Sequence, residues 1–432
     1  MTEHTSGQGS SVSYFTLVHE NRNFRLLWAG QIVSLFGDWF NLIASAALVS
    51  QLTGSGLAVS GLFVLRMLAP FLISPFAGVA ADRYNRKHLL ILADLSRAAV
   101  VLGFLLVRDP RQVWLLYVLT FIQLAISGIF FPTRNAILPD IVSPRELGPA
   151  NALSSATWSV MLALGAALGG VVAGEWGVYP AFIIDGFTFV LSAAFIVGIR
   201  YTPPDSLAGA QQSIRAALGE YLDGLRYLKE HLDILVLTLQ KTANGLFTSG
   251  AFQVIQVALA EQVFVIGDSG GTSLGILYAV TGVGTGIGPI IARRFTGDRD
   301  RSLRIAIGLS YAITILGLIL AAQLTSFGVV LFGTLLRAIG GGINWVFSTQ
   351  LLLQLVPNQV RGRVFSTEFA MLTLANALGA AMGGYVLDGT PLGISGLLWL
   401  MAILTAIPGV LWVLWTAVGT KPRPASEGAA NT

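Results

Sequence analysis

Residues 163–170 read ALGAALGG and residues 377–384 read ALGAAMGG, the same register 214 residues apart with one substitution. The segments just before them also correspond, LPDIVSPREL at 138–147 and LVPNQVRGRV at 355–364. Each octapeptide lies in a long apolar run, and a GxxxGG pattern removes side-chain bulk so that helices can approach closely in a bilayer. Tight packing accounts for the glycines by itself, and a part in relative motion of the helices is the second reading. Because loop and helix recur together, we read the chain as two related halves.

Outward from this repeat the chain divides into apolar runs of bilayer length. The expected spans are 24–50, 57–81, 88–107, 113–133, 149–173 and 178–199, then 234–260, 271–293, 304–322, 326–355, 364–388 and 394–418. The fold class that follows is all-α and membrane-embedded, twelve helices in two pseudo-symmetric bundles of six. The organisation is a polar segment 1–23, a first bundle 24–199, a linker 200–233, a second bundle 234–418 and a tail 419–432. The linker contains Ile214, Leu218, Tyr221, Leu222, Leu225, Leu228 and Leu232 at three- and four-residue spacing. That is an amphipathic helix, expected to lie along the cytoplasmic membrane surface.

Composition agrees. Hydrophobic residues are 54% of 432 and charged residues 11%, whereas soluble domains carry roughly 25% charged residues. Of 26 Lys and Arg, the loops on one side hold Arg108 and Arg111, the interiors of the spans hold Arg66, Arg97, Lys241 and Arg337, and the other side, counting the span ends there, holds the remaining 20. Such a bias places both termini in the cytoplasm of a cell whose inner (plasma) membrane the chain crosses. The first dozen residues lack a basic and then apolar signal, so the first span itself is expected to direct insertion.

Several chemistries are excluded or disfavoured. The chain has no cysteine, so disulfides and thiolate metal sites are absent. Its histidines, His4, His19, His88 and His231, fall outside the spans or, for His88, at the very edge of one, and no metal or other cofactor is expected. No GxxxxGK[ST] occurs, which argues against an ATP-driven pump. GVGTGIG at 282–288 lies inside a span with no preceding strand and reads as a packing run. An enzyme and a nucleic-acid-binding protein are therefore the weaker readings.

After the second span the chain reads GVAADRYNRK, Gly78 to Lys87. This resembles the signature loop of the major facilitator superfamily, with Asn85 where a glycine is usual. NFRLLWAGQIVSLFGDWF (23–40), FFPTRNAILPDIVSPRELGPANAL (130–153), FIIDGFTFVLSA (182–193) and VRGRVFS (360–366) resemble the branch with macrolide-efflux proteins and the enterobactin exporter. The resemblance covers about residues 20–418. It implies a secondary transporter working by alternating access, acting as a monomer on a bulky amphipathic molecule (drug, macrolide or siderophore-like) with a proton as co-substrate. A facilitator or an uptake symporter is the alternative, since the fifth span lacks the proline of the antiporter signature. By the same resemblance Gly78, Asp82, Arg83, Arg86, Lys87, Asp94 and Arg97 form a cytoplasmic gate, its basic residues pairing across that face.

Charges within the spans each need a reason, because one at mid-bilayer costs about 2.5–3.5 kcal/mol even on insertion scales. Asp94 and Arg97 share a helix face and can pair. Asp38 is the leading proton-binding candidate, and an Asp38–Arg66 ion pair locking the first two spans is the equal alternative. Arg337 precedes Gly340, Gly341 and Gly342 and could meet an anionic substrate or pair with Asp185 or Glu368. Lys241 has no assigned partner. Trp39, Phe40, Trp158, Trp345 and Phe347 are the candidate cavity aromatics.

Overall fold

In the computed structural model, residues 13–202, 214–297 and 299–419 are described, apart from the side chains at a few positions. Fifteen α-helices run in chain order: α1 (Tyr14–Glu20), α2 (Arg22–Thr53), α3 (Gly56–Arg83), α4 (Arg86–Gly103), α5 (Val113–Ile141), α6 (Pro144–Glu175), α7 (Val178–Val197), α8 (Ile214–Glu230), α9 (Leu232–Asn244), α10 (Ala251–Ala258), α11 (Gly271–Thr296), α12 (Asp300–Ala322), α13 (Phe327–Leu355), α14 (Asn358–Gly389) and α15 (Gly393–Gly419). Their ends follow from local chemistry. Asn21 caps α2 through Phe24 N–H at 2.9 Å, Ser55 caps α3 through Ala58 N–H at 3.1 Å, and Asn85 caps α4 through His88 N–H at 3.2 Å. Ser143 and Glu146 form a capping box on α6.

Among the described residues eleven helices are long and apolar enough to cross a membrane. The expected seventh span differs in kind. It is helical from 232 to 263 but passes from α9 into a π segment, Gly245–Gly250, then α10, then a second π segment, Leu259–Val263. The first π segment packs on α14, where a β-carbon at Gly379 would collide with the Leu246 carbonyl. Such widened turns have no composition of their own, so a run of apolar residues conceals them.

The repeated octapeptides occupy matching places. Gly165 and Gly169 of α6 press on Trp39 and Phe40 of α2, while Gly379 and Gly383 of α14 press on Leu246 and on Ala251 of α10. The last glycine of each octapeptide faces the opposite half. Gly170 abuts Gly275 of α11, and Gly384 abuts Ser60 and the Gly56 carbonyl of α3. A β-carbon on Gly275 would sit 2.6 Å from the Gly170 Cα, closer than atoms allow. The repeat is therefore a packing code, two glycines for the half's own first spanning segment and one for its neighbour across the interface.

These crossings, with Gly174 against Thr272 and Gly282 against Ala163, lie in the half of the bundle that holds the turn at Gly54 and the end of α14. There Asp388 of α14 accepts from Gly56 N–H at 2.9 Å, Leu57 N–H at 2.9 Å and Ser55 Oγ at 2.6 Å, capping α3 from the other half. At the opposite, basic end, with the turn at Tyr84 and Asn85, none of the described glycines joins the halves. The linker helix α8 docks there on α14. Gly224 lies against Arg363 and Thr367, Leu228 joins an apolar cluster with Val364 and Ile234, and Asp223 lies 3.8 Å from Arg363. Its apolar stripe is thus covered at least partly by protein rather than by lipid alone.

Candidate functional site

The charged residues gather around one buried cation in each half. In the first half it is Arg97 of α4, which has no exposed surface. It pairs with Asp94 one turn back, lies 4.0 Å from Asp38 of α2, and donates to Ser127 of α5 at 3.4 Å. Phe130 of α5 and Phe189 of α7 lie against it, each 4.2 Å from ring centroid to guanidinium. Arg97 is eleven residues into α4, about 16 Å along the helix. It therefore sits about three helical turns from the signature loop with which the family pattern groups it.

Asp185 of α7 completes this cluster. Gly37 has no side chain, so α2 lies directly on α7, with Asp185 and Thr188 where a β-carbon would be. Asp185 is fully buried, with the Asn41 amide of α2 beside it and no ion pair among the described residues. Arg66 of α3 interacts electrostatically with Asp38 and Asp185 but forms no ion pair with either among the described residues. The contact cation of Asp38 is Arg97, and the expected Asp38–Arg66 lock is not made.

In the second half Lys241 of α9 pairs with Glu368 of α14 at 2.5 Å. Its ammonium donates to Thr349 at 3.0 Å and lies 3.9 Å from the Trp345 ring. Glu368 is thus taken by Lys241 rather than by Arg337. Beside it Gln240 donates to Ser348 at 2.6 Å and accepts from Tyr311 at 2.9 Å and Asn344 at 3.0 Å. Arg337 of α13 lies 3.9 Å from the Phe252 ring and pairs with neither Asp185 nor Glu368.

The signature loop is only partly visible, since the side chains of Gly78, Asp82 and Arg83 lie outside the described residues. Arg86 contacts Asp140 of α5 at 2.7 Å and the Ala136 carbonyl at 3.1 Å, and Lys87 donates to the Ile199 carbonyl at 2.8 Å. These partners belong to the first half, so the contacts join helices within it. Tyr201 donates to Asp140 at 3.2 Å, and burial together with that carboxylate pushes its hydroxyl up to about 12, which keeps it a donor.

Of the candidate aromatics, Phe40 and Phe347 are both 2% exposed and belong to the apolar core. Trp39 packs on Gly165 and on Tyr278 of the other half, with ring centroids 5.9 Å apart. Trp158 and Trp345 are half exposed. Sequence reasoning missed Arg134, which is buried and donates to Gln31 of α2 and to Ser154 of α6 at 2.7 Å. It sits one residue beyond the expected end of the fourth span, and α5 continues to Ile141. It missed Tyr278 too, an aromatic in a glycine-rich run. No cluster of residues suited to a metal occurs among the described residues.

The chain is similar to known proteins over most of its length. The sequence pattern of the Major Facilitator Superfamily matches residues 27–366 and 242–432. An uncharacterised transporter of that type from Bacillus subtilis is 28% identical over 86% of this chain and 88% of its own. A Bacillus subtilis protein named as a bacilysin exporter is 25% identical, covering 83% and 88%. Macrolide efflux protein A of Streptococcus pyogenes is 24% identical, covering 84% and 89%. In three dimensions the chain is similar to a bacterial homologue of the human lysosomal transporter Spinster, inward-facing and occupied. The TM-score is 0.70 at 16% identity, covering 94% of this chain and 99% of that one.

Proposed function

The chain belongs to the Major Facilitator Superfamily, a multi-pass membrane transporter and not an enzyme, and from that premise we propose that it exports a bulky amphipathic molecule in exchange for protons. In this reading the basic end faces the cytoplasm with both termini, and the glycine crossings close the outer end. The relatives named for bacilysin export and macrolide efflux favour the outward direction.

The observation that carries proton coupling is the cluster of Asp38, Asp94 and Asp185 around Arg97, at the helix crossing beside the interface between halves. Asp94 holds Arg97 permanently at one helical turn. Asp38, at 4.0 Å, is the looser partner and is not fully buried. A carboxylate that gains and loses contact with a guanidinium also changes its hold on a proton. Rocking of the halves changes the surroundings of α2, and Asp38 binds a proton in one state and releases it in the other. Asp185 is the second candidate, because it is buried beside Asp38 and has no ion pair among the described residues.

The test is transport in proteoliposomes with an imposed pH gradient, over a panel of macrolides, siderophores and lipophilic cations. Uphill movement of one compound by wild type, lost in Asp38→Asn while binding survives, is the expected result. Equal, gradient-independent equilibration by both proteins would overturn proton coupling through Asp38 and leave a facilitator.

A further inference from the structure

Five basic side chains are buried among the described residues, and four have polar partners. Arg97 has Asp94 and Asp38, Lys241 has Glu368, Arg134 has Gln31 and Ser154, and Arg304 has Asp300 at 2.9 Å. Arg337, 7% exposed, makes no hydrogen bond or ion pair with the described residues and has only the face of Phe252. A buried guanidinium with neither counter-charge nor hydrogen bond costs several kcal/mol. Among the buried basic residues described, Arg337 alone carries that cost.

A second unpartnered group lies on α11, which packs against α13 where Gly284 meets Ala338, the residue after Arg337. Tyr278 of α11 is 5% exposed and its hydroxyl has no partner. Arg337 and Arg66 both interact with it electrostatically, and Trp39 of the other half packs on its ring. Tyr278 is seven residues into α11, Arg66 ten into α3 and Arg337 ten into α13, so all three lie about 10–15 Å below the closed end. The backbone of α13 at Arg337 lies directly on Gly317 of α12, which fixes where the side chain starts.

We propose that Arg337 and the Tyr278 hydroxyl form the subsite for a carboxylate on the transported molecule, with Phe252 and Trp39 beside it for an adjoining apolar group. This rests on the transporter reading and adds the substrate class, an amphipathic acid or zwitterion. The guanidinium fork matches a carboxylate's two oxygens, and the phenol adds a third donor. The substrate thereby supplies the counter-charge that the protein withholds. Because α11 meets α6 and Tyr278 meets Trp39, filling the subsite also bears on the contact between halves.

The experiment uses the full-length protein in nanodiscs and matched probes, N-acetylphenylalanine and decanoate against their neutral amides, read by calorimetry. Wild type is expected to prefer the acids by about tenfold, the effect of one charge-assisted hydrogen bond. Arg337→Gln and Tyr278→Phe each reduce that preference towards one, and Arg337→Lys restores part of it. Tyr278→Phe keeps the ring on Trp39, so its result reads the hydroxyl and not folding. Equal binding of acid and amide by wild type, or an acid preference intact in Arg337→Gln, overturns the subsite. Suppression of the acid preference by chloride alone assigns the pair to a halide and overturns it too. A parallel transport assay separates the two readings: gradient-driven export of acidic compounds unchanged in Arg337→Gln sinks the subsite and leaves the exporter standing. If wild type moves no compound the exporter reading fails, and the acid–amide comparison still decides the subsite.

Discussion

Arg97 and Arg337 are both buried arginines stacked on phenylalanine, one in each half, yet their surroundings are opposite. Arg97 has an aspartate one turn away, a second at 4.0 Å, a serine and two rings. Arg337 has one ring. A compensated charge in a low-dielectric interior joins the helices around it, and losing either partner leaves the other exposed to the full desolvation cost. An uncompensated charge destabilises the empty protein and gains only when a counter-charge arrives. The Arg97 site therefore carries its counter-charge internally, and the Arg337 site leaves a place open.

The largest effect expected from breaking this contrast is functional. Asp38→Asn should lower gradient-driven transport to the level of protein-free vesicles, measured against wild type with the same substrate, while leaving equilibrium binding within a fewfold. Next comes stability. Arg97→Gln strands Asp94 and Asp38, and should destabilise the protein by about 3–5 kcal/mol, the usual cost of breaking a buried pair. Thermal unfolding in detergent reads this, and adding Asp94→Asn should recover a substantial part, since the stranded charge is then gone. Arg337→Met should do the reverse and raise the melting temperature in the absence of ligand, by the equivalent of about 1–4 kcal/mol. A fall as large as that of Arg97→Gln would show that Arg337 has a structural partner and would erase the contrast.

Much of the fold could be read from the residues because bilayer-length runs, basic loops and the octapeptide repeat are all local in sequence. The π segments of the seventh span were not legible because a π turn has the same composition as an α turn. Asp94 and Arg97 were legible as a pair because they share a helix face. The third member, Asp38, was not, because α2 meets α4 only through tertiary packing. The same limit explains Lys241 and Glu368, 127 residues apart, and Phe40 and Phe347, whose burial depends on which helix face the glycines turn inward. Arg134 was lost to a boundary, since α5 extends eight residues beyond the expected end of the fourth span.

The smallest effect concerns the end where the halves meet. Asp388 caps α3 from across the interface with three hydrogen bonds, whereas the other contacts there are mostly backbone on backbone at Gly56, Gly170, Gly275 and Gly384. The glycines allow closure but do not reward it with any directional bond. Asp388 supplies one, and the N-terminus of α3 adds a favourable dipole. Asp388→Asn keeps the shape and removes the charge, so the closed arrangement should lose about 1 kcal/mol and the open population should rise roughly fivefold. Spin labels at Thr53 and Leu392 would report it as a longer distance component that grows in the variant. An unchanged distance distribution would mean that glycine packing alone holds this end, and that the electrostatic difference between the halves does not extend to the interface.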